Sequence, residues 1–310
     1  MIMDCAVIGG GPAGLNASLV LGRARKQTVL FDDNKPRNIV TSEAHGFITR
    51  DGIDPQELKR IAQDELAEYP NIQIEKQRVQ SIVKEQELFH IETEQGDQFK
   101  ARKVILATGF KEVLPAIDRL NEFYGKSLFS CPFCDGWELR DRPLVVLAEI
   151  PGAFHMAKVA SNWTDDLIVC TNGKPVLSIE EKEILEKNSI KVNEKKIRSL
   201  IGTNGKLEAI EFEDGESLSR TGGFVASEWI QASGFGTSLG CELNERGGVE
   251  TDRFQRTNVE GVFACGDAVM DGPSQLIIAA AEGSMAGISV NGELLEEKFK
   301  KQDRLNSIQN

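Results

Sequence analysis

Two cysteines stand two residues apart in Cys131-Pro132-Phe133-Cys134-Asp135-Gly136-Trp137. The spacing suits a redox dithiol, half of a zinc site, or two packed small side chains. Structural zinc takes about four protein ligands. No second Cys-x-x-Cys or Cys-x-His follows at a usable spacing, and His155 stands alone. A dithiol at this separation closes a small, easily reduced ring: one thiolate attacks a substrate disulfide and the other resolves the mixed disulfide. Pro132 limits the backbone freedom of that ring. Cys5, Cys170, Cys241 and Cys265 are isolated among apolar or small residues, as inert core thiols are. This is not the dense spacing of a secreted disulfide scaffold, so a cytoplasmic protein is expected.

A second chemical signal lies in Asp4-Cys-Ala-Val-Ile-Gly-Gly-Gly-Pro-Ala-Gly14. The apolar run Cys5 to Ile8 reads as a buried parallel strand. Gly9, Gly11 and Gly14 form GxGxxG, with Pro12 and Ala13 inside it. A helical pattern covers Leu15 to Ala24, and a second strand, Thr28 to Phe31, ends in Asp32-Asp33. In such a βαβ unit Gly9 permits the tight turn, Gly11 lets backbone approach a pyrophosphate, and Gly14 lets helix and strand pack closely. The helix N-terminus supplies amide donors and positive dipole to phosphates. Asp32, placed 23 residues after Gly9, is positioned to accept from a ribose hydroxyl. A lone glycine motif is weak, but here strand, glycines, helix, second strand and acid agree, so a dinucleotide is the expected ligand.

Two further strands end in small-residue turns: Val104-Ile-Leu-Ala-Thr-Gly109 and Gly261-Val-Phe-Ala-Cys-Gly-Asp267. With the first loop, these motifs resemble the flavoproteins built from two dinucleotide-binding domains, and CPFCDG resembles low-molecular-weight thioredoxin reductases over essentially the whole chain. The resemblance implies an α/β fold of two Rossmann-like domains, the second inserted in the first: an FAD domain at 1–113 and 245–310, and an inserted NAD(P)H-domain-like unit at 114–244 carrying Cys-x-x-Cys. It implies FAD on Gly9, Gly11, Gly14 and Asp32, on Ala107, Thr108 and Gly109, on the backbone of Val79, and on Gly266, Asp267 and Gln275. It implies that Cys134 faces the flavin, that Cys131 meets the outside substrate, and that Asp135 handles the thiol proton. A helix over Gln275 to Gly287 would point its positive end at the flavin. Homodimerisation is also expected from the family.

The pattern then departs. A thioredoxin reductase carries a second GxGxxG/A and an arginine cluster for NADPH. Here strand Pro143 to Leu147 leads into Ala-Glu-Ile-Pro-Gly-Ala-Phe-His-Met-Ala157, and strand Leu167 to Cys170 leads into Thr-Asn-Gly-Lys-Pro175. Glu149 sits where phosphates would approach, Pro151 removes an amide donor, and Lys174 is the nearby cation. Ser274 replaces an arginine that family members carry before Gln275. These losses resemble gliotoxin- and holomycin-type dithiol oxidases, which pass electrons to oxygen, and ferredoxin-dependent flavin thioredoxin reductases. Residues 35–58 look like the same segment of the dithiol oxidases. That likeness places Arg37 and Asn38 near FAD and His45 near the flavin or the dithiol, or leaves His45 as a turn residue. Those oxidases often carry histidine where this chain has Asp135.

Three functions follow: a flavin-dependent disulfide/dithiol oxidoreductase that does not use NADPH efficiently, an NADPH-dependent thioredoxin-disulfide reductase with a divergent loop, or a flavoprotein redox sensor. Partners are a thioredoxin-like protein or a small dithiol or disulfide, with ferredoxin or oxygen at the other end. The bulk numbers agree with an enzyme of two ordinary domains in 310 residues. The net charge of −12 argues against nucleic acid. No apolar run approaches the ~20 residues of a membrane helix, and the N-terminus reads as a strand, with no signal peptide expected.

Overall fold

The run Ile2–Ile8 is the centre of a seven-stranded sheet. The computed structural model describes the backbone of residues 1–309 and the side chains of residues 1–303. Thr28–Phe31 and Gln98–Leu106 pair with Ile2–Ile8 in parallel on its two sides. Ile72–Glu75 extends one edge, and Val262–Ala264 pairs with the end of Gln98–Leu106. The first half of Gln98–Leu106 instead pairs antiparallel with Leu88–Thr93, which pairs with Val79–Glu85. The strand is apolar on both sides because both faces are covered. Met3, Ala6 and Ile8 enter one core cluster, and Cys5 and Val7 the other.

Register does the positioning. Ile8 lies opposite both Phe31 and Leu106, and Leu106 lies opposite Ala264. The residues that follow, Gly9, Asp32, Ala107 and Cys265, therefore leave the sheet at one common edge. In open α/β sheets ligands bind at that carboxyl edge.

A second unit contains a five-stranded parallel sheet ordered Lys191–Asn193, Leu167–Cys170, Leu144–Ala148, Gly222–Ala226 and Leu128–Phe129. Beside these in sequence runs an antiparallel meander, Ile197–Thr203, Lys206–Phe212 and Ser217–Ser219. Leu144 and Val146 enter one cluster and Val145 and Leu147 another.

The first unit comprises residues 1–37, 56–111 and 230–310, and the second residues 38–55 and 112–229. The division falls elsewhere than the expected 1–113 and 245–310. Residues 230–244 join the first unit because Gln231 Nε2 donates to the Ala268 carbonyl and Ala232 N–H to that of Gly109. Residues 38–55 join the second, where the Val40 carbonyl lies against Gly125 so closely that an added Cβ would sit 2.3 Å from its oxygen.

The last helix runs Leu276–Gln309, well beyond the expected end at Gly287. Gly283 and Gly287 do not stop it; they let it touch helix Pro12–Arg23. A Cβ on Gly283 would stand 2.0 Å from the Ala13 carbonyl oxygen, and one on Gly287 3.0 Å from that of Ala17. Asn16 Nδ2 donates to Ala280 O across the same contact.

Candidate functional site

In the first unit, helix Pro12–Arg23 starts at Gly11, with Pro12 in its first turn. No side chain caps this end, so its early N–H groups face outward as an anion cradle. Gly9 has φ +114°, and a Cβ there would meet Ala107 O at 2.2 Å; a Cβ on Gly14 would meet Gly9 O at 1.8 Å. Gly11 has nothing within 4 Å of its missing Cβ. Gly9 and Gly14 are thus glycine for packing, whereas Gly11 opens a space that a phosphate would fill.

Around this cradle the predicted residues converge. Gly109 (φ +70°) brings its Cβ position to 3.9 Å from Asp267 Cβ, and the Cβ position of Gly266 (φ +64°) lies 2.8 Å from Ala13 Cβ. Thr108 Oγ1 is hydrogen-bonded by Ser233 Oγ at 3.1 Å. Val79 begins its strand and is buried. Gln275 precedes the terminal helix, and its carbonyl accepts from Ala279 N–H. Arg37 Nη2 donates to Ser274 Oγ at 2.7 Å and reaches Asp267 Oδ2 at 3.4 Å. Ser274 Oγ donates to the same carboxylate oxygen at 2.6 Å. Arg37 thereby brings a cation against Ser274 and Asp267. Arg37 also stacks on the Phe110 ring at 4.6 Å.

Several site residues were not legible in sequence. Lys59 Nζ lies 2.5 Å from Asp32 Oδ2, and Gln63 Nε2 reaches the same oxygen at 3.2 Å. Both project from helix Pro55–Ala67, where their i, i+4 spacing was the available signal. Glu282 accepts from Gly266 N–H at 2.7 Å. Burial, only partly offset by that bond and joined by the charges of Asp267 and Asp271, holds the Glu282 carboxyl above the ordinary glutamate range.

In the second unit, Cys131 and Cys134 are joined as a disulfide. Cys131 caps helix Pro132–Leu139 in extended backbone, and its carbonyl accepts from the N–H groups of Cys134 and Asp135. Pro132 has no N–H and suits this first turn. Asp135 lies in the same turn. Gly136 faces the Trp163 indole so closely that a Cβ would stand 2.5 Å from it; this explains the glycine of Cys-Asp-Gly. Phe133 and Trp137 are largely exposed on this helix, with Phe133 edge-on to Trp163 and Arg140 stacked on Trp137 at 4.0 Å. An open cleft of about 470 Å³, lined by Trp137, Arg140, Asn162, Trp163 and Asp165, flanks the helix.

Asn38 and His45 fall in this second unit. The Asn38 carbonyl accepts from Thr41. The His45 imidazole lies among carboxylates, Glu43 at 3.4 Å, Asp51 at 3.5 Å and Glu138 of the cysteine helix at 3.8 Å.

The strand Leu144–Ala148 ends at the degenerate loop. Gly152 (φ +107°) caps the short helix Ala153–Ala160, and the Glu149 carboxylate accepts from Asn172 Nδ2. Asn172 Oδ1 accepts from Ile197 N–H at 2.7 Å, which fixes the amide. The Glu149 carboxylate is therefore held just past the end of the strand Leu144–Ala148, in the loop where a second glycine-rich turn would stand. The first cradle fits FAD.

The other four cysteines are free and buried. Desolvation pushes the thiols of Cys5, Cys265 and Cys241 up, and that of Cys170 up to about 12, so they do not supply thiolates. Among the described residues no cluster of His, Cys, Asp and Glu could hold a metal, and no helix is long and apolar enough to cross a membrane.

Residues 3–283 match the pyridine nucleotide-disulphide oxidoreductase family. The chain belongs to that family. It is 32% identical to thioredoxin reductase aclD of Aspergillus oryzae, over 96% of this chain and 99% of that one. It is 31% identical to thioredoxin reductase sirT of Leptosphaeria maculans, over 98% of each. Among solved structures, TrxB of Bacillus anthracis superposes with a TM-score of 0.92 at 46% identity, covering 96% of this chain and 99% of that chain. HlmI superposes with a TM-score of 0.95 at 32% identity, covering 99% and 97%. The α/β fold and the thioredoxin-reductase resemblance are thus borne out. The chain is an oxidoreductase of the type acting on disulfides and dithiols, and its family implies FAD.

Proposed function

We propose that this family member is an FAD-dependent disulfide/dithiol oxidoreductase that works through Cys131 and Cys134 and does not use NADPH efficiently. The observation that carries the second part is the Glu149–Asn172 pair at the degenerate loop. Two negative groups brought together in a part-buried crevice repel strongly, and no arginine cluster follows the next strand. FAD on Gly9, Gly11, Gly14, Asp32, Arg37, Ala107, Thr108, Gly109, Gly266, Asp267 and Gln275 supplies, when bound, the two-electron centre.

In the oxidising direction a substrate thiolate attacks Cys131 Sγ; the Cys131–Cys134 bond breaks and Cys134 leaves as thiolate. The second substrate thiol then attacks the substrate sulfur of the mixed disulfide and expels Cys131. The substrate has lost two electrons and two protons, and the cysteine pair has gained the electrons. Asp135, one residue from Cys134, holds a proton during this exchange. Run backwards, the same steps reduce a disulfide. The substrate is a small dithiol or a thioredoxin-like protein, and oxygen or ferredoxin completes the circuit in the cytoplasm.

A homodimer fits the terminal helix. Ile277, Met285, Ile288, Leu295 and Phe299 are exposed along it at alternating spacings of three, four and seven to eight residues, the stripe that a partner helix covers. Anaerobic addition of NADPH, then of dithiothreitol, while the flavin spectrum is followed, tests the reading: the flavin stays oxidised after the first and bleaches after the second.

A further inference from the structure

At the edge of the first sheet, the Asp32 carboxylate is engaged on both oxygens. Its Oδ1 accepts from Asn34 N–H at 3.0 Å. Its Oδ2 accepts from Gln63 Nε2 at 3.2 Å and pairs with Lys59 Nζ at 2.5 Å. The Lys59 and Asp32 side chains are 10% and 6% exposed, so this is a desolvated pair rather than a solvent-screened surface bridge. Lys59 is tethered in turn by Asn34 Oδ1 at 3.0 Å. The packing is tight on the other side too: a Cβ on Gly10 would stand 2.4 Å from the Asp32 carboxyl carbon. The carboxylate therefore cannot rotate freely. A carboxylate oxygen accepts about two hydrogen bonds; Oδ2 has two protein partners and Oδ1 has one.

We propose that Lys59 and Gln63 are positioning residues for the adenosine half of the dinucleotide: they hold Oδ2, fix the orientation of the Asp32 carboxylate, and leave Oδ1 to accept a single ribose hydroxyl. The proposal rests on the reading of the first cradle as the FAD site. Lys59 acts through its contact with Asp32, so its loss acts on the adenosine half and spares the flavin half.

The test is a titration of the flavin-stripped full-length chain with FAD, with ADP as the adenosine half, and with FMN as the flavin half. A hydrogen bond to a charged group is worth roughly one decade in binding. Lys59→Met therefore raises the dissociation constants of FAD and ADP by about tenfold and leaves that of FMN unchanged. Lys59→Arg recovers part of the loss. Adding Lys59→Met to Asp32→Asn causes little further weakening, because the two residues act as one unit. Gln63→Ala gives a smaller change of the same pattern and serves should Lys59→Met fold poorly. Equal weakening of FMN and ADP overturns the proposal, as does unchanged FAD affinity or full additivity with Asp32→Asn. A wild-type chain that binds neither FAD nor ADP overturns the proposal together with the FAD reading; a chain that binds both but ignores Lys59→Met overturns the proposal alone.

Discussion

Gly11 and Gly14 stand three residues apart and are expected to fail differently when given a side chain. Gly14→Ala places a Cβ 1.8 Å from Gly9 O, so it lowers the melting temperature of the protein with or without flavin. Gly11→Val has open space around its Cβ, so it leaves the flavin-free protein's melting temperature nearly unchanged and lowers flavin content. Calorimetry and the flavin-to-protein absorbance ratio separate the two. Glu282 offers a prediction in pH. Its folded-state value is raised above 4.5 by burial, so its stabilising contribution is fully present below that value and is lost as pH rises through the folded one. Glu282→Gln keeps an acceptor for Gly266 N–H and escapes this loss. The difference in melting temperature, variant minus wild type, should grow from pH 4 to pH 7; a constant difference would refute the assignment. Gly9 and Asp32 were marked in the sequence by the local succession of strand, turn and acid, and Asp267 by the family resemblance. Lys59 and the Arg37–Ser274 contact were not, since each joins residues far apart in the chain.

Among the elements, the terminal helix and the degenerate loop depart most from local reading. The helix expected over Gln275 to Gly287 runs on, and Gly283 and Gly287 face helix Pro12–Arg23, where small residues permit contact. Periodicity alone cannot tell a glycine that ends a helix from one that admits a neighbour. The same helix is anchored by Lys103, whose ammonium lies 2.9 Å from Glu293 and 2.7 Å from Glu297. Desolvation works against both partners, but their mutual bonds hold Lys103 above and Glu297 below their usual ranges. Lys103→Met leaves the two carboxylates without that cation and should destabilise by about 2 kcal/mol, less than a fully buried pair because the glutamates are partly solvated. The Glu297 contribution disappears as pH falls below 4.5 through its lowered value. At the degenerate loop the sequence showed a missing motif and a carboxylate, and the structure adds that Asn172 fixes it. Glu149→Ala should tighten NADPH binding, by about tenfold if one like-charge contact is relieved, as read by quenching of nicotinamide fluorescence.

For the molecule as a whole, the exposed stripe on the terminal helix predicts twice the chain's mass by light scattering, and Ile288→Glu should shift the population toward monomer. The acidic surface, with 48 acidic against 36 basic residues, favours solubility and weighs against anionic partners. What the molecule does turns on where its cysteine pair finds or leaves electrons. Anaerobic titration of the flavin-loaded protein, followed by absorbance near the flavin maximum, tests this most directly. Stoichiometric dithiol should bleach the wild-type flavin and fail to bleach Cys131→Ser, while NADPH in excess leaves the wild-type flavin oxidised. Rapid bleaching by NADPH would contradict the account.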